Sequence, residues 1–176
     1  MDYEIDIDGC PASIDVMALN NALESALRVE EVSEAVLSVT VVDNPTIHRL
    51  NRDHLQHDYP TDVISFQLDW SHADRNQPPG TATDRSKDAR IEGEIVASVE
   101  YAQAEALAHG WTVQSELTLY VIHGMLHICG YDDLTPTEKQ MMRARESAVF
   151  QQLGYDNIPR RSEDESAPPS MQEAAE

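Results

Sequence analysis

Apolar and polar positions alternate with a period of two at the start of the chain. In MDYEIDID, acidic residues separate Tyr3, Ile5 and Ile7, the pattern of a half-buried strand. The period then lengthens. From Ser13, a candidate N-cap, Val16, Met17, Leu19, Leu23 and Leu27 recur at helical spacing. AVLSVTVVD (35–43) is dense in β-branched side chains and predicts a buried strand. Asn44-Pro45 interrupts it, and Pro45 suits the first turn of a short helix carrying Ile47 and Leu50. DVISFQL (62–68) and EGEIVAS (92–98) predict two more strands. Between them, residues 69–92 lack periodicity and hold Asn76, Pro78, Pro79 and Gly80, as a functional or disordered loop would. Three helices follow. VEYAQAEALAH is stopped by Gly110, and TVQSELTLYVIHGMLHIC by Gly130. The last opens at Thr135-Pro136 and runs through Met141, Met142, Ala148 and Leu153.

The element order is β-α-β-α-β-loop-β-α-α-α, without internal repeats. It predicts an α+β fold, a small mixed sheet of about four strands covered by helices. Residues 1–158 are expected to form a single domain. Residues 159–176 turn polar and acidic and predict a disordered tail.

Composition narrows the function classes. The chain has 176 residues, with 12 Lys and Arg against 32 Asp and Glu, and a formal charge of −20. That charge opposes general adhesion to nucleic acid, where affinity comes largely from neutralising phosphates, and no DNA partner is expected. A metal ion or a local basic patch would still allow an acidic chain to process RNA. Cys10 and Cys129 are too few and too far apart for a disulfide scaffold or a cysteine zinc finger, and they fit a reducing compartment. The start of the chain lacks the basic flank and apolar core of a signal peptide, and no run is long enough to span a membrane. A cytoplasmic protein is expected.

The chemistry concentrates in VIHGMLHICGYDD (121–133). About 400° of helical rotation separates His123 from His127, so both project from one face within about one turn. Leu117, Val121, Met125 and Ile128 form a separate apolar stripe. Cys129, about 200° round from His127, reads as a small core residue. Gly130 can end the helix in the left-handed conformation and turn Tyr131-Asp132-Asp133 back towards the histidines. Asp133 could then complete a set of two imidazoles and one carboxylate, a catalytic zinc arrangement with one position open. The plain alternative is a pair of surface or core histidines. Zinc proteases of the His-Glu-x-x-His type carry a glutamate base directly after the first histidine, and here that position is Gly124. A protease of that type is disfavoured.

HGMLHICGYDD resembles the signature of the YbeY family, His-Gly-x-Leu-His-Leu-x-Gly-Tyr-Asp-His. LNRDHLQHDYPTDVISF (50–66), EGEIVASVEYAQAEA (92–106) and SELTLYVIHG (115–124) resemble further family segments, in order, over roughly residues 35–155. The resemblance implies a single-strand-specific, metal-dependent endoribonuclease of ribosomal RNA maturation and quality control, acting at the 16S rRNA 3′ end. It implies an α+β fold with one zinc ion per chain, bound by three histidines at the end of a central helix. By resemblance His123 and His127 are two of the ligands, and the third falls on Asp133. An anionic oxygen there would suit a harder ion such as Mn2+ better than three imidazoles do. The partners implied are ribosomal RNA and components of the small ribosomal subunit.

A second departure lies upstream. Leu55 stands where the family usually has an arginine, and His57 where a lysine is usual, leaving Arg49, Arg52 or His57 to supply positive charge. As catalytic residues, Asp132 or Glu94 would orient water; the plain alternatives are that Asp132 caps the turn and Glu94 is a solvated strand residue. Thr61 and Asp62 read as strand-entry residues. The alternative function is a non-catalytic ribosome-assembly factor with a structural metal. Hydrolysis of a peptide or small molecule at the same site is a third.

Overall fold

In the strict alternation of β1 (Asp2–Asp8), every second residue is exposed while Tyr3, Ile5 and Ile7 lean on the core. The computed structural model describes residues 1–72, 85–155 and 158, so the expected tail and the middle of the expected loop lie outside the described residues. β1 pairs in parallel with β2 (Glu34–Val42), whose Ala35, Leu37, Val39 and Val41 are buried. β2 pairs in parallel with β4 (Ala89–Ser98), and β3 (Val63–His72) closes the edge antiparallel to β4. The sheet is therefore mixed and four-stranded, as the pattern predicts, and its strand order is β1-β2-β4-β3.

Helices α1 (Val16–Val29), α2 (Asn44–Leu50), α3 (Val99–His109), α4 (Val113–Ile128) and α5 (Pro136–Gln152) complete the fold. α4 packs directly on β3 and β4, with α1, α3 and α5 around it. Leu117, Val121, Ile122, Met125, Leu126 and Ile128 of α4 are each 1% exposed or less, so this helix is apolar on nearly every side. Two glycines bring it close to the sheet. A Cβ on Gly93 would lie 2.6 Å from Ile128 Cδ1, and one on Gly124 would lie 3.0 Å from Ile95 and 3.2 Å from Val63. Gly124 therefore faces the sheet, and a glutamate side chain there would collide with it rather than reach the histidines.

Two expectations need correction. The N-cap of α1 is Asp15, which accepts from the Ala18 N–H at 3.0 Å. Ser13 lies in a preceding turn closed by Ile14 N–H to Pro11 O. The aperiodic stretch 69–92 holds strand at both ends, since β3 runs on to His72 and β4 begins at Ala89. The register shifts between Gln67 and Asp69, and such a bulge breaks the alternation by which a strand is recognised. The expected short helix after Asn44-Pro45 is present as α2, which continues into a π-type turn (Asn51–Leu55) that ends with Gln56 in the left-handed conformation.

Ile91, Gly93, Ile95 and Ala97 face the helices, and the period of two sends Arg90, Glu92 and Glu94 to the other face. Asp2, Glu4 and Asp6 share that outer face through the register Asp6–Ser38–Glu94. Asp2, Glu4, Asp6, Glu92 and Glu94 thus sit on the sheet surface turned away from α4.

Candidate metal centre

α4 carries His123 and His127 one turn apart near its C-terminal end, and the chain then reverses. Gly130 takes φ +88°. Its N–H bonds to His127 O at 2.9 Å, and the Tyr131 N–H bonds to Leu126 O at 3.1 Å, the paired bonds of a Schellman turn. Asp132 accepts the Asp133 N–H at 2.8 Å and so shapes the turn. Arg85 donates to Gly130 O and lies over the Tyr131 ring. The Tyr131 hydroxyl donates to the buried Glu30 at 2.8 Å, and Arg145 of α5 donates to the same carboxylate at 2.7 Å. Burial raises the Glu30 pKa, partly offset by its bonds to Arg145 and Tyr131.

This turn returns Asp133 to the histidines. Its carboxylate oxygens lie 3.8 Å from His123 Nε2 and 3.9 Å from His127 Nε2, and the two Nε2 atoms are 3.0 Å apart. The other ring nitrogens are engaged. His123 Nδ1 is 2.7 Å from Glu146 Oε1 of α5, and His127 Nδ1 is 3.0 Å from Tyr131 O. A carbonyl only accepts, so His127 Nδ1 carries the proton, and a carboxylate likewise accepts from His123 Nδ1. With both rings neutral, the two Nε2 lone pairs turn towards the same point beside a carboxylate; a proton taken up by His123 would instead be shared across the 3.0 Å between them.

Titration follows from this crowding. Burial alone would lower the His123 pKa, but the Glu146 hydrogen bond and charge, with Asp62 and Asp133, outweigh it and leave it raised. The His127 pKa is lowered, first by burial and then by the charge of His123. One cation between the rings is tolerated and a second is resisted.

The three donors fit a metal. All lie within 4.8 Å of one another, and tetrahedral zinc with bonds of about 2.0–2.1 Å places its ligands about 3.3 Å apart. The two Nε2 atoms stand 3.0 Å apart, and the nearer Asp133 oxygen to each lies 3.8 and 3.9 Å away, Oδ2 to His123 and Oδ1 to His127, so a small rotation of the carboxylate would close the set. Side-chain exposures of 21, 27 and 39% for His123, His127 and Asp133 leave the group reachable from solvent. His123, His127 and Asp133 could therefore hold a metal ion, with one position open.

Glu94 is not brought to this point. It is exposed on the opposite face of the sheet, paired laterally with Ser38 and Phe66. Asp132 is adjacent, but one of its carboxylate oxygens is occupied in the turn. Cys129 is fully buried, its thiol pKa pushed up to about 12 by burial. Leu55, His57 and Tyr59 are exposed on the segment entering β3, with the His57 and Tyr59 rings stacked 5.4 Å apart. Arg52 on the same segment pairs with Asp53 at 3.0 Å. Sequence reasoning missed Glu146 entirely. Its signal was a carboxylate within the buried positions Met142, Val149 and Phe150 of α5, where an apolar residue would be expected.

Comparison with known proteins adds an independent line. Residues 12–154 match the family model described as endoribonuclease YbeY. The endoribonuclease YbeY of Rhodopirellula baltica is 38% identical over 152 residues, covering 85% of this chain and 70% of the relative. That of Desulfitobacterium hafniense is 40% identical over 124 residues, covering 70% of this chain and 75% of the relative. The solution structure of TM1509 from Thermotoga maritima superposes with a TM-score of 0.51 at 21% identity, over 86% of this chain and 91% of that one, a likeness of fold.

Proposed function

This chain belongs to the endoribonuclease YbeY family, and on that premise we propose that it cleaves single-stranded RNA with a divalent metal ion held by His123, His127 and Asp133. The observation that carries this reading is the convergence of both Nε2 atoms, 3.0 Å apart, on a point flanked by the Asp133 carboxylate. Each ring has its Nδ1 committed to an acceptor. Converging lone pairs and a carboxylate repel one another unless a cation lies among them.

A divalent ion bound there supplies Lewis acidity for a phosphodiester and lowers the pKa of water. The chain's own residues do the rest. Glu146 and the Tyr131 carbonyl orient the rings, and Asp132 holds the turn that presents Asp133. Asp133 brings a charge that a third imidazole would not. It favours retention of the cation, makes it a milder acid, and admits Mn2+ besides Zn2+. Arg49 in the last turn of α2, with Arg52 and His57 on the segment that leads from it to Val63 beside Gly124, is exposed and suited to meet substrate phosphate. The substrate we propose is ribosomal RNA, at the 16S rRNA 3′ end, in the cytoplasm and in company with small-subunit components. Residues 1–158 act as one unit. None of the helices among the described residues is long and apolar enough to cross a membrane.

The test is incubation of the purified chain with single-stranded ribosomal RNA fragments, with and without chelator. Chelator-sensitive cleavage that falls about 10³-fold in His123→Ala is expected, the loss of several kcal/mol of charge stabilisation. RNA bound but uncut under every condition overturns the proposal in favour of an assembly factor.

A further inference from the structure

Glu146 lies 23 residues beyond His123 and on a different helix, yet its Oε1 stands 2.7 Å from His123 Nδ1. That distance is in the range of charge-assisted N–H···O bonds. The side chain is 5% exposed and sits among the apolar residues by which α5 packs on the core, Met142, Val149 and Phe150. A buried carboxylate is costly unless it is paired and hydrogen-bonded, so a core brace alone would be better served by leucine. We infer that Glu146 is a positioning residue of the metal centre. Its carboxylate holds the proton of His123 on Nδ1 and fixes the ring plane, so that Nε2 is presented to the ion as a neutral and more basic donor. The inference rests on the metal reading above and assigns that site an outer residue.

Two comparisons within the site support it. His127 has only a neutral carbonyl behind it, Tyr131 O at 3.0 Å, so its ring is oriented but not electrostatically polarised. The two imidazoles are therefore unequal donors, and His123 is the one on which affinity for the ion chiefly depends. The neighbouring residue on α5, Arg145, grips Glu30 at 2.7 Å, and Glu30 also holds the Tyr131 hydroxyl at 2.8 Å. Consecutive residues of α5 thus brace the histidine helix and the turn that delivers Asp133. Carboxylates behind metal-ligating histidines act in this way generally, and their loss weakens metal affinity about 10–100-fold.

The experiment compares zinc dissociation constants of the full chain, Glu146→Gln and Glu146→Leu by competition with a chromophoric chelator, with metal-free thermal midpoints as a control of folding. Glu146→Gln keeps an acceptor for Nδ1–H and loses the charge, and a loss of about 10-fold or less is expected; Glu146→Leu loses both, and a loss of about 10–100-fold is expected. The cobalt-loaded forms should differ in their visible bands in the same order. Zinc constants within about twofold of the parent in both variants, with the parent binding tightly, overturn the inference while leaving the metal reading intact; a parent that binds no zinc overturns the metal reading itself. Should either variant fail to fold, the ¹⁵N shifts of the zinc-loaded parent decide. A protonated Nδ1 and a ligated Nε2 at His123 are expected, and ligation through Nδ1 overturns the inference.

Discussion

A histidine–carboxylate cluster lies beside each end of α4, and among the described residues only the second brings its donors together as a metal ion would need. Near its start, Glu116 lies 3.7 Å from His109 Nδ1, and Glu105 of α3 lies 4.0 Å from His109 Nε2. Near its end, His123 and His127 meet Asp133 and Glu146. The residue types are almost the same; the geometry is not. At the first cluster one ring stands between two carboxylates whose side chains are only 10 and 4% exposed, so its nitrogens diverge and solvent is largely excluded. At the second, two rings spend their outward nitrogens on acceptors and converge with their inward ones, at a point solvent can reach. Buried titratable groups alone do not make a site. Convergent, unspent donors with an open side are what a metal ion requires.

Substitutions at the two ends should therefore separate cleanly. The largest effect belongs to the open end, where His123→Ala is expected to remove metal and cleavage together. At the closed end a stability effect is expected, with no loss of bound metal. Burial raises the Glu116 pKa above its ordinary 4.5, despite opposing bonds from Tyr120 and His109. The sign follows. The folded state favours the protonated form, so the stability this group supports is full below pH 4.5 and declines as pH rises through the raised folded value. Glu116→Gln cannot titrate. Its stability relative to the parent should therefore increase as pH rises from about 4 to about 7, read from denaturation midpoints at each pH. A difference that stays constant across that range would break the contrast between the two ends. The smallest effect is expected of Glu94→Gln. With its side chain on the outer sheet face, cleavage and zinc affinity should both stay within about twofold of the parent, because surface changes away from such features are near neutral. A tenfold fall in cleavage would place the chemistry on the wrong side of the sheet.

Much of this was legible from residue order. The strand and helix periods predicted the element order, Gly130 marked the reversal, and the i, i+4 histidines with Asp133 pointed to the three donors that the fold brings together. The rest was hidden for physical reasons. Glu146 meets His123 only because α5 packs against α4, a contact no local pattern encodes. Glu94 was not hidden: the alternation of EGEIVAS turns Ile95 and Ala97 to the core and Glu94 outward. The strand ends within 69–92 were masked by a bulge that breaks the period. Ser13 and Asp15 are both good capping residues, and the turn that places Asp15 at the cap depends on a backbone bond from Ile14 to Pro11.

The central claim is that Asp133 completes the metal centre, and zinc content after Asp133→Ala tests it most directly. The unsubstituted chain should retain one tightly bound ion through dialysis against a weak chelator, and Asp133→Ala should lose it while keeping its thermal midpoint in the metal-free state. Full retention of tightly bound zinc by Asp133→Ala would contradict the claim.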